Sequence, residues 1–65
     1  MRLLVNGEPR DVAAAALDAA LEELGYRAAH VATAVNGAFV PASARARWTL
    51  REGDALEILA PMQGG

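Results

Sequence analysis

Apolar and polar positions alternate at both ends of the chain and fall into a helical spacing between them. Met1 to Val5 is a short apolar run in which Leu3 and Val5 share one side and Leu4 the other, the two-residue period of a strand. Asn6-Gly7 follows, a pair that tolerates the positive φ angles of a tight hairpin. Pro9 to Val12 then reads as the returning strand, with Pro9 restricted to an edge or to the strand's first residue. The alanine-rich stretch from Ala13 to Leu24 predicts a helix, and Leu17, Leu21 and Leu24 recur at i, i+4 and i+7 on one apolar stripe. Asp18, Glu22 and Glu23 lie off that stripe. Gly25 stands where a helix C′ residue belongs, whereas the helix start lacks a clean cap.

The second half repeats the strand signals. Val31 to Val35 predicts a strand, Asn36-Gly37 a second tight turn, and Phe39-Val40-Pro41 a short extended piece stopped by the proline. Ala42 to Arg47 reads as a connector with room for one helical turn. Trp48-Thr49-Leu50 leads into the polar turn Arg51-Glu52-Gly53-Asp54. Ala55 to Ala60 predicts the last strand, with Leu56 and Ile58 on one face and Glu57 and Leu59 on the other. Pro61 ends its pairing, having no N–H to donate. The order is therefore β-β-α-β-(β)-β, which predicts an α+β fold: a mixed sheet of four to five strands packed on one main helix. One globular domain is expected over residues 1–60, followed by a flexible C-terminal tail over 61–65 that ends in Gly-Gly.

Composition narrows the function. At 54% hydrophobic and 22% charged, the 65 residues can fold but enclose only a modest core, with little room for a deep catalytic pocket. A net charge of −2 gives no nucleic-acid footprint. The apolar start is too short for a signal peptide, and no stretch approaches the length of a membrane span, so the default expectation is a cytoplasmic protein. With no cysteine there is no thiolate nucleophile and no cysteine-based metal site. All six basic residues are arginine, so no side-chain amine can attack an activated carboxyl group from within the chain, and no Walker A lysine is available.

These exclusions direct attention to the tail, Met62-Gln63-Gly64-Gly65. Glycine has no Cβ, so such an end threads a narrow channel. Five residues from Pro61 reach about 17 Å when extended. A free α-carboxylate ionises near pH 3.5 and is a poor electrophile, so it needs activation, for instance as an acyl-adenylate, by another protein. The tail equally reads as a plain frayed end.

In its body the chain resembles the ThiS sulfur carriers of thiamin biosynthesis. The likeness rests on Ala34-Val35-Asn36-Gly37 followed by Val40-Pro41, then Trp48-Thr49-Leu50, Glu52-Gly53-Asp54-Ala55-Leu56-Glu57-Ile58 and the final Gly64-Gly65. The resemblance implies a ubiquitin-like β-grasp fold and a protein substrate rather than an enzyme, with no catalytic residue, bound cofactor or metal of its own. A ThiF-like adenylyltransferase would use ATP to adenylate Gly65. Sulfur from a cysteine desulfurase or another donor would then convert it to a thiocarboxylate, and a ThiG-like thiazole synthase would take that sulfur into thiazole phosphate. Gly64, Gln63 and Met62 would thread the tail. The alternatives within this chemistry are a carrier like the small subunit of molybdopterin synthase and a ubiquitin-like protein modifier. The chain departs from the family pattern in its alanine-rich helix and in Pro-Met-Gln before the glycines.

The remaining residues receive plainer readings. Leu59 and Leu4, on the face away from the helix, are expected to form adjacent docking leucines near the tail, although scattered exposed leucines are common. His30 is a loop position without partners for acid–base or metal work. Arg45, Arg47 and Arg51 form either a basic patch or, preferably, a solvated face. Glu52 and Asp54 suit turn chemistry better than an acid–base pair or half a metal site. Trp48 and Phe39 are expected in or near the core.

Overall fold

The structure is a computed structural model, and it describes residues 1–60. Five strands form one mixed sheet: β1 (Arg2–Val5), β2 (Glu8–Asp11), β3 (Ala32–Val35), β4 (Ala38–Val40) and β5 (Ala55–Leu59). Their spatial order is β2-β1-β5-β3-β4. The central pair β1 and β5 is parallel, and every other pair is antiparallel. One helix, α1 (Leu17–Glu23), covers one face, and two short 3₁₀ turns, Ala28–His30 and Ala42–Arg47, complete the chain path.

Both hairpins turn as their sequences dictate. Asn6 and Gly7 have φ of 50° and 86°, and Asn36 and Gly37 have 51° and 85°, the paired positive angles that match the twist of two-residue hairpins. Pro9 lies on β2, an edge strand, where its missing N–H leaves no ladder bond unmade. The core gathers Leu3 and Val5 of β1, Val35, Val40, Leu56 and Ile58 of the other strands, and Leu17, Ala20 and Leu21 of α1. Trp48, Tyr26 and Leu24 pack against it, half-buried.

The helix differs from the sequence expectation at its start. Residues 13–16, four alanines of high helix propensity, are not helical, and Ala16 at the N-cap is extended with φ −86° and ψ 144°. Tertiary pairing overrides propensity here. Ala16 forms an antiparallel bridge with Thr49, the Leu50 N–H donates to the Ala15 carbonyl at 2.8 Å, and the Leu17 N–H donates to the Trp48 carbonyl at 3.0 Å. Glu23, a turn and a half along the helix, accepts the Ala13 N–H at 2.8 Å and the Ala14 N–H at 3.1 Å. The helix end follows expectation: the Tyr26 N–H reaches the Leu21 carbonyl and the Gly25 N–H the Glu22 carbonyl, both at 3.0 Å, closing a Schellman motif.

Strand limits shift by one residue in each strand, with β1 beginning at Arg2 and β4 running Ala38–Val40. β2 begins at Glu8 and ends at Asp11, β3 begins at Ala32, and β5 ends at Leu59. Val31 is displaced from β3 because the 3₁₀ turn ends beside it and its carbonyl turns to a side-chain donor, Arg45.

Candidate functional site

The tail leaves the body from the end of β5, so the site is built around that strand. On its β1 side the ladder would stop where β1 turns away after Val5, but Asn6 extends it. The Asn6 N–H donates to the Leu56 carbonyl at 2.9 Å. Its side-chain amide then accepts the Ile58 N–H at 2.8 Å and donates to the Ile58 carbonyl at 3.1 Å, standing in for a missing strand residue. Asn36 holds the start of β5 in a similar way, accepting the Ala55 N–H at 2.9 Å. On the other side β3 pairs as far as Ala32 with Leu59. The backbone is therefore held on both flanks up to the last two residues before Pro61. The tail itself, with the expected flexible segment 61–65 and its residues Met62, Gln63, Gly64 and Gly65, lies outside the described residues.

Alternation along the strands places Leu4, Ala32, Ala34, Phe39, Glu57 and Leu59 on the face opposite α1. Leu59 is 70% exposed, Phe39 68% and Leu4 41%. The pairing corrects two expectations. Leu4 pairs with Ala55, four residues before Leu59, so the two leucines lie about 13 Å apart along the sheet rather than side by side. Phe39 is not in the core. Ala34 pairs with both Phe39 and Glu57, so these three form one cross-strand row with Leu59 and Ala32 in the next. Ala32, Ala34, Phe39, Glu57 and Leu59 line a shallow depression of about 100 Å³. Leu59 is shared with an open groove of about 360 Å³ that also takes in Ala29, His30, Val31, Ala32 and Ala60. The exposed apolar surface nearest the tail is thus Leu59 with Phe39 over two alanines. The signal for Phe39 was present: a two-residue turn at Asn36-Gly37 fixes the register, and an inward Val40 forces Phe39 outward.

The arginines do not form one patch. Arg45 is 3% exposed, with its guanidinium donating to Thr33 Oγ1 at 3.1 Å, the Ala28 carbonyl at 2.8 Å and the Val31 carbonyl at 2.7 Å. Thr33 Oγ1 in turn donates to the Val40 carbonyl at 2.8 Å. This buried cation ties both 3₁₀ turns to the sheet beneath the groove at the tail's base. Nothing in the sequence distinguishes it from the other five arginines. Arg47 donates to the Ser43 carbonyl at 3.1 Å, and Arg51 is exposed.

The two turn carboxylates hold the structure together. Glu52 accepts the Arg2 N–H at 3.0 Å, while Asp54 accepts the Arg51 N–H at 2.8 Å and the Asn36 amide at 3.0 Å. Among the described residues no group of three His, Asp or Glu side chains could hold a metal, and no helix is long and apolar enough to cross a membrane. The ion pair on the surface, Arg2 Nε to Asp11 Oδ1 at 3.1 Å, joins β1 to edge strand β2. The hydrogen bond from Arg2, then its charge, holds the Asp11 carboxyl below the usual aspartate range.

Comparison with known proteins gives this arrangement a context. A family model described as the ThiS family matches residues 3–65. The sulfur carrier protein ThiS of Thermus thermophilus is 42% identical over 62 residues, 94% of this chain and 95% of that protein. A thiazole synthase of Paramagnetospirillum magneticum is 41% identical over 66 residues, a stretch that takes in all of this chain but only 20% of that protein. The crystal structure of the thiamine biosynthesis protein ThiS from Geobacter metallireducens superposes with a TM-score of 0.82 at 35% identity, covering the whole of both chains. The solution structure of a thiamine biosynthesis protein from the same organism superposes with a TM-score of 0.81, covering all of this chain and 88% of the other.

Proposed function

The chain belongs to the ThiS family and is a sulfur carrier of thiamin biosynthesis with the β-grasp fold; from that premise we propose that Gly65 is the residue on which the sulfur travels. The observation that carries this reading is the near full-length likeness to a sulfur carrier, in a family match that runs through Gly65.

The chemistry follows from a carboxylate that cannot react unaided. A Gly65 carboxylate oxygen attacks the α-phosphorus of ATP on an adenylyltransferase of the ThiF kind, releasing pyrophosphate and leaving an acyl-adenylate. The terminal sulfur of a cysteine persulfide, charged by a desulfurase or another donor, then attacks the carbonyl carbon and expels AMP. A thiol cleaves the resulting S–S bond, taking one sulfur into a disulfide and leaving a thiocarboxylate at Gly65. A thiazole synthase of the ThiG kind takes that sulfur into thiazole phosphate. The stretch of a thiazole synthase that matches this entire chain supports the last partner.

In this scheme the protein is a substrate, and the one group it contributes to the chemistry is the Gly65 carboxylate. Gly64, Gln63 and Met62 deliver the carboxylate through a reach of about 17 Å from Pro61, while the body docks outside. Leu59 lies one residue from the last described position, so the face around it meets whichever enzyme holds the tail. Leu4, farther along the same face, sits at the margin of that contact. ATP and the sulfur donor belong to the partner enzymes, and the carrier works in the cytoplasm beside them.

The test is the intact mass of the full chain after incubation with ATP, the adenylyltransferase and a sulfur donor. Replacement of one carboxyl oxygen by sulfur is expected. A chain lacking Gly65 that still gains sulfur would overturn the proposal.

A further inference from the structure

We infer that the row Phe39–Ala34–Glu57 is a receptor for one arginine side chain of the enzyme that adenylates the tail. The inference rests on the carrier reading above and adds the chemistry of the contact.

Three features converge. The first is spacing. Phe39 and Glu57 both pair with Ala34, one from β4 and the other from β5, so their side chains rise from the same face two strand spacings apart, about 10 Å. Only the Ala34 methyl stands between them, so the gap accepts a flat group. The second is charge. Glu57 is an exposed carboxylate set among Ala32, Ala34, Phe39 and Leu59, and no described residue pairs with it. Asp11, on the same face, already has its arginine and lies beyond Leu4 at the far end. The third is position. The row adjoins Leu59, and with a tail reach of about 17 Å an enzyme holding Gly65 has little choice but to cover this end of the sheet.

A carboxylate covered by an apolar surface would lose its water without compensation, which is costly unless the incoming surface supplies a cation. A guanidinium suits the place better than an ammonium. Its plane stacks on the Phe39 ring, its fork takes both Glu57 oxygens, and its methylene stem lies over Ala34 and Ala32. The chain has no lysine, and among the described residues no arginine lines the depression or pairs with Glu57, so the cation comes from the partner.

The experiment is carrier-dependent ATP–pyrophosphate exchange catalysed by the adenylyltransferase from the same cell, with the carrier concentration varied. Variants are Glu57→Gln, Glu57→Asp, Phe39→Leu and, as a control with the same charge change on the helix side, Glu22→Gln. Glu57→Gln is expected to raise KM for the carrier about tenfold with kcat nearly unchanged, the size of one lost charge-assisted contact. Glu57→Asp is expected to recover part of that loss, and Phe39→Leu to raise KM about threefold by removing the stacking surface while staying apolar. Salt is expected to weaken the parent carrier more than Glu57→Gln. A KM for Glu57→Gln within twofold of the parent, or an equal rise for Glu22→Gln, would overturn the arginine receptor and leave the carrier reading standing. Absence of exchange with the parent chain would overturn both. If replacing each exposed adenylyltransferase arginine by lysine leaves KM unchanged, the partner's group is not a guanidinium and the inference fails in that form.

Discussion

The two faces of the sheet are made by the same strands, residue by residue in turn, and both are largely apolar. Leu3, Val5, Val35, Val40, Leu56 and Ile58 point one way and are buried under α1 and the connection that carries Leu50. Leu4, Ala32, Ala34, Phe39 and Leu59 point the other way, and among the described residues nothing covers that face. In size the two sets also differ. The covered face uses large branched side chains that fill the space beneath a helix, whereas the open face has two alanines flanked by larger groups, which makes a depression rather than a ridge. The covered face is built for stability, and the open face is the one proposed above to meet a partner enzyme. An exposed apolar surface of this kind costs the isolated protein solubility and is retained where a partner buries it.

That division is tested most severely by Leu56→Ala. Leu56 is fully buried at the centre of β5, and its truncation is expected to cost about 2–5 kcal/mol. For a domain of this size that approaches the whole stability, roughly 5 kcal/mol, so the variant should unfold near room temperature by circular dichroism. Next comes Arg45→Ala, which leaves Thr33 Oγ1 and the Ala28 and Val31 carbonyls without their donor. A loss of about 3 kcal/mol is expected in urea unfolding, and the base of the tail should exchange amide hydrogens faster. Asn6→Gly keeps the positive φ of the turn but deletes the two bonds to Ile58. It is expected to cost about 1–2 kcal/mol, with the Ile58 amide losing protection before the rest of β5.

On the open face, Leu59→Ala is expected to change stability by less than about 0.5 kcal/mol while impairing adenylation of the chain. A large stability loss there would mean that the two faces are not separate in function. The smallest effect belongs to Asp11→Asn. Because Arg2 holds the Asp11 carboxyl below its ordinary range, the pair contributes stability above the usual aspartate pKa of about 3.9 and loses it as pH falls through the lower folded value. The parent and Asp11→Asn should therefore differ slightly at neutral pH and converge in acid, as followed by thermal midpoints. Both side chains are largely exposed, so the neutral-pH difference is small.

Much of this was legible in the chain. Two Asn-Gly pairs announced both hairpins because few residues tolerate consecutive positive φ angles. The alternation of Leu3-Leu4-Val5 and of Leu56 to Leu59 assigned each side chain to its face, since the pleat has a period of two whatever surrounds it. Gly25 marked the helix end, and the family motifs through Gly64-Gly65 marked the carrier. These are local properties, or patterns carried by the residues in order.

What the sequence by itself could not decide were outcomes of long-range pairing. Four alanines favour helix, yet Ala13 to Ala16 are not helical because Thr49 and Leu50 and the carboxylate of Glu23 compete for their backbone groups. Six arginines look alike in order, and only packing of the 3₁₀ turns against Thr33 buries Arg45. Leu4 and Leu59 share a face by alternation, but the parallel register of β1 with β5 sets them at opposite ends, while the antiparallel registers of β3 with β4 and β5 bring Phe39, Ala34 and Glu57 together. Alternation determines which face a side chain takes; only the register between distant strands determines its neighbours there.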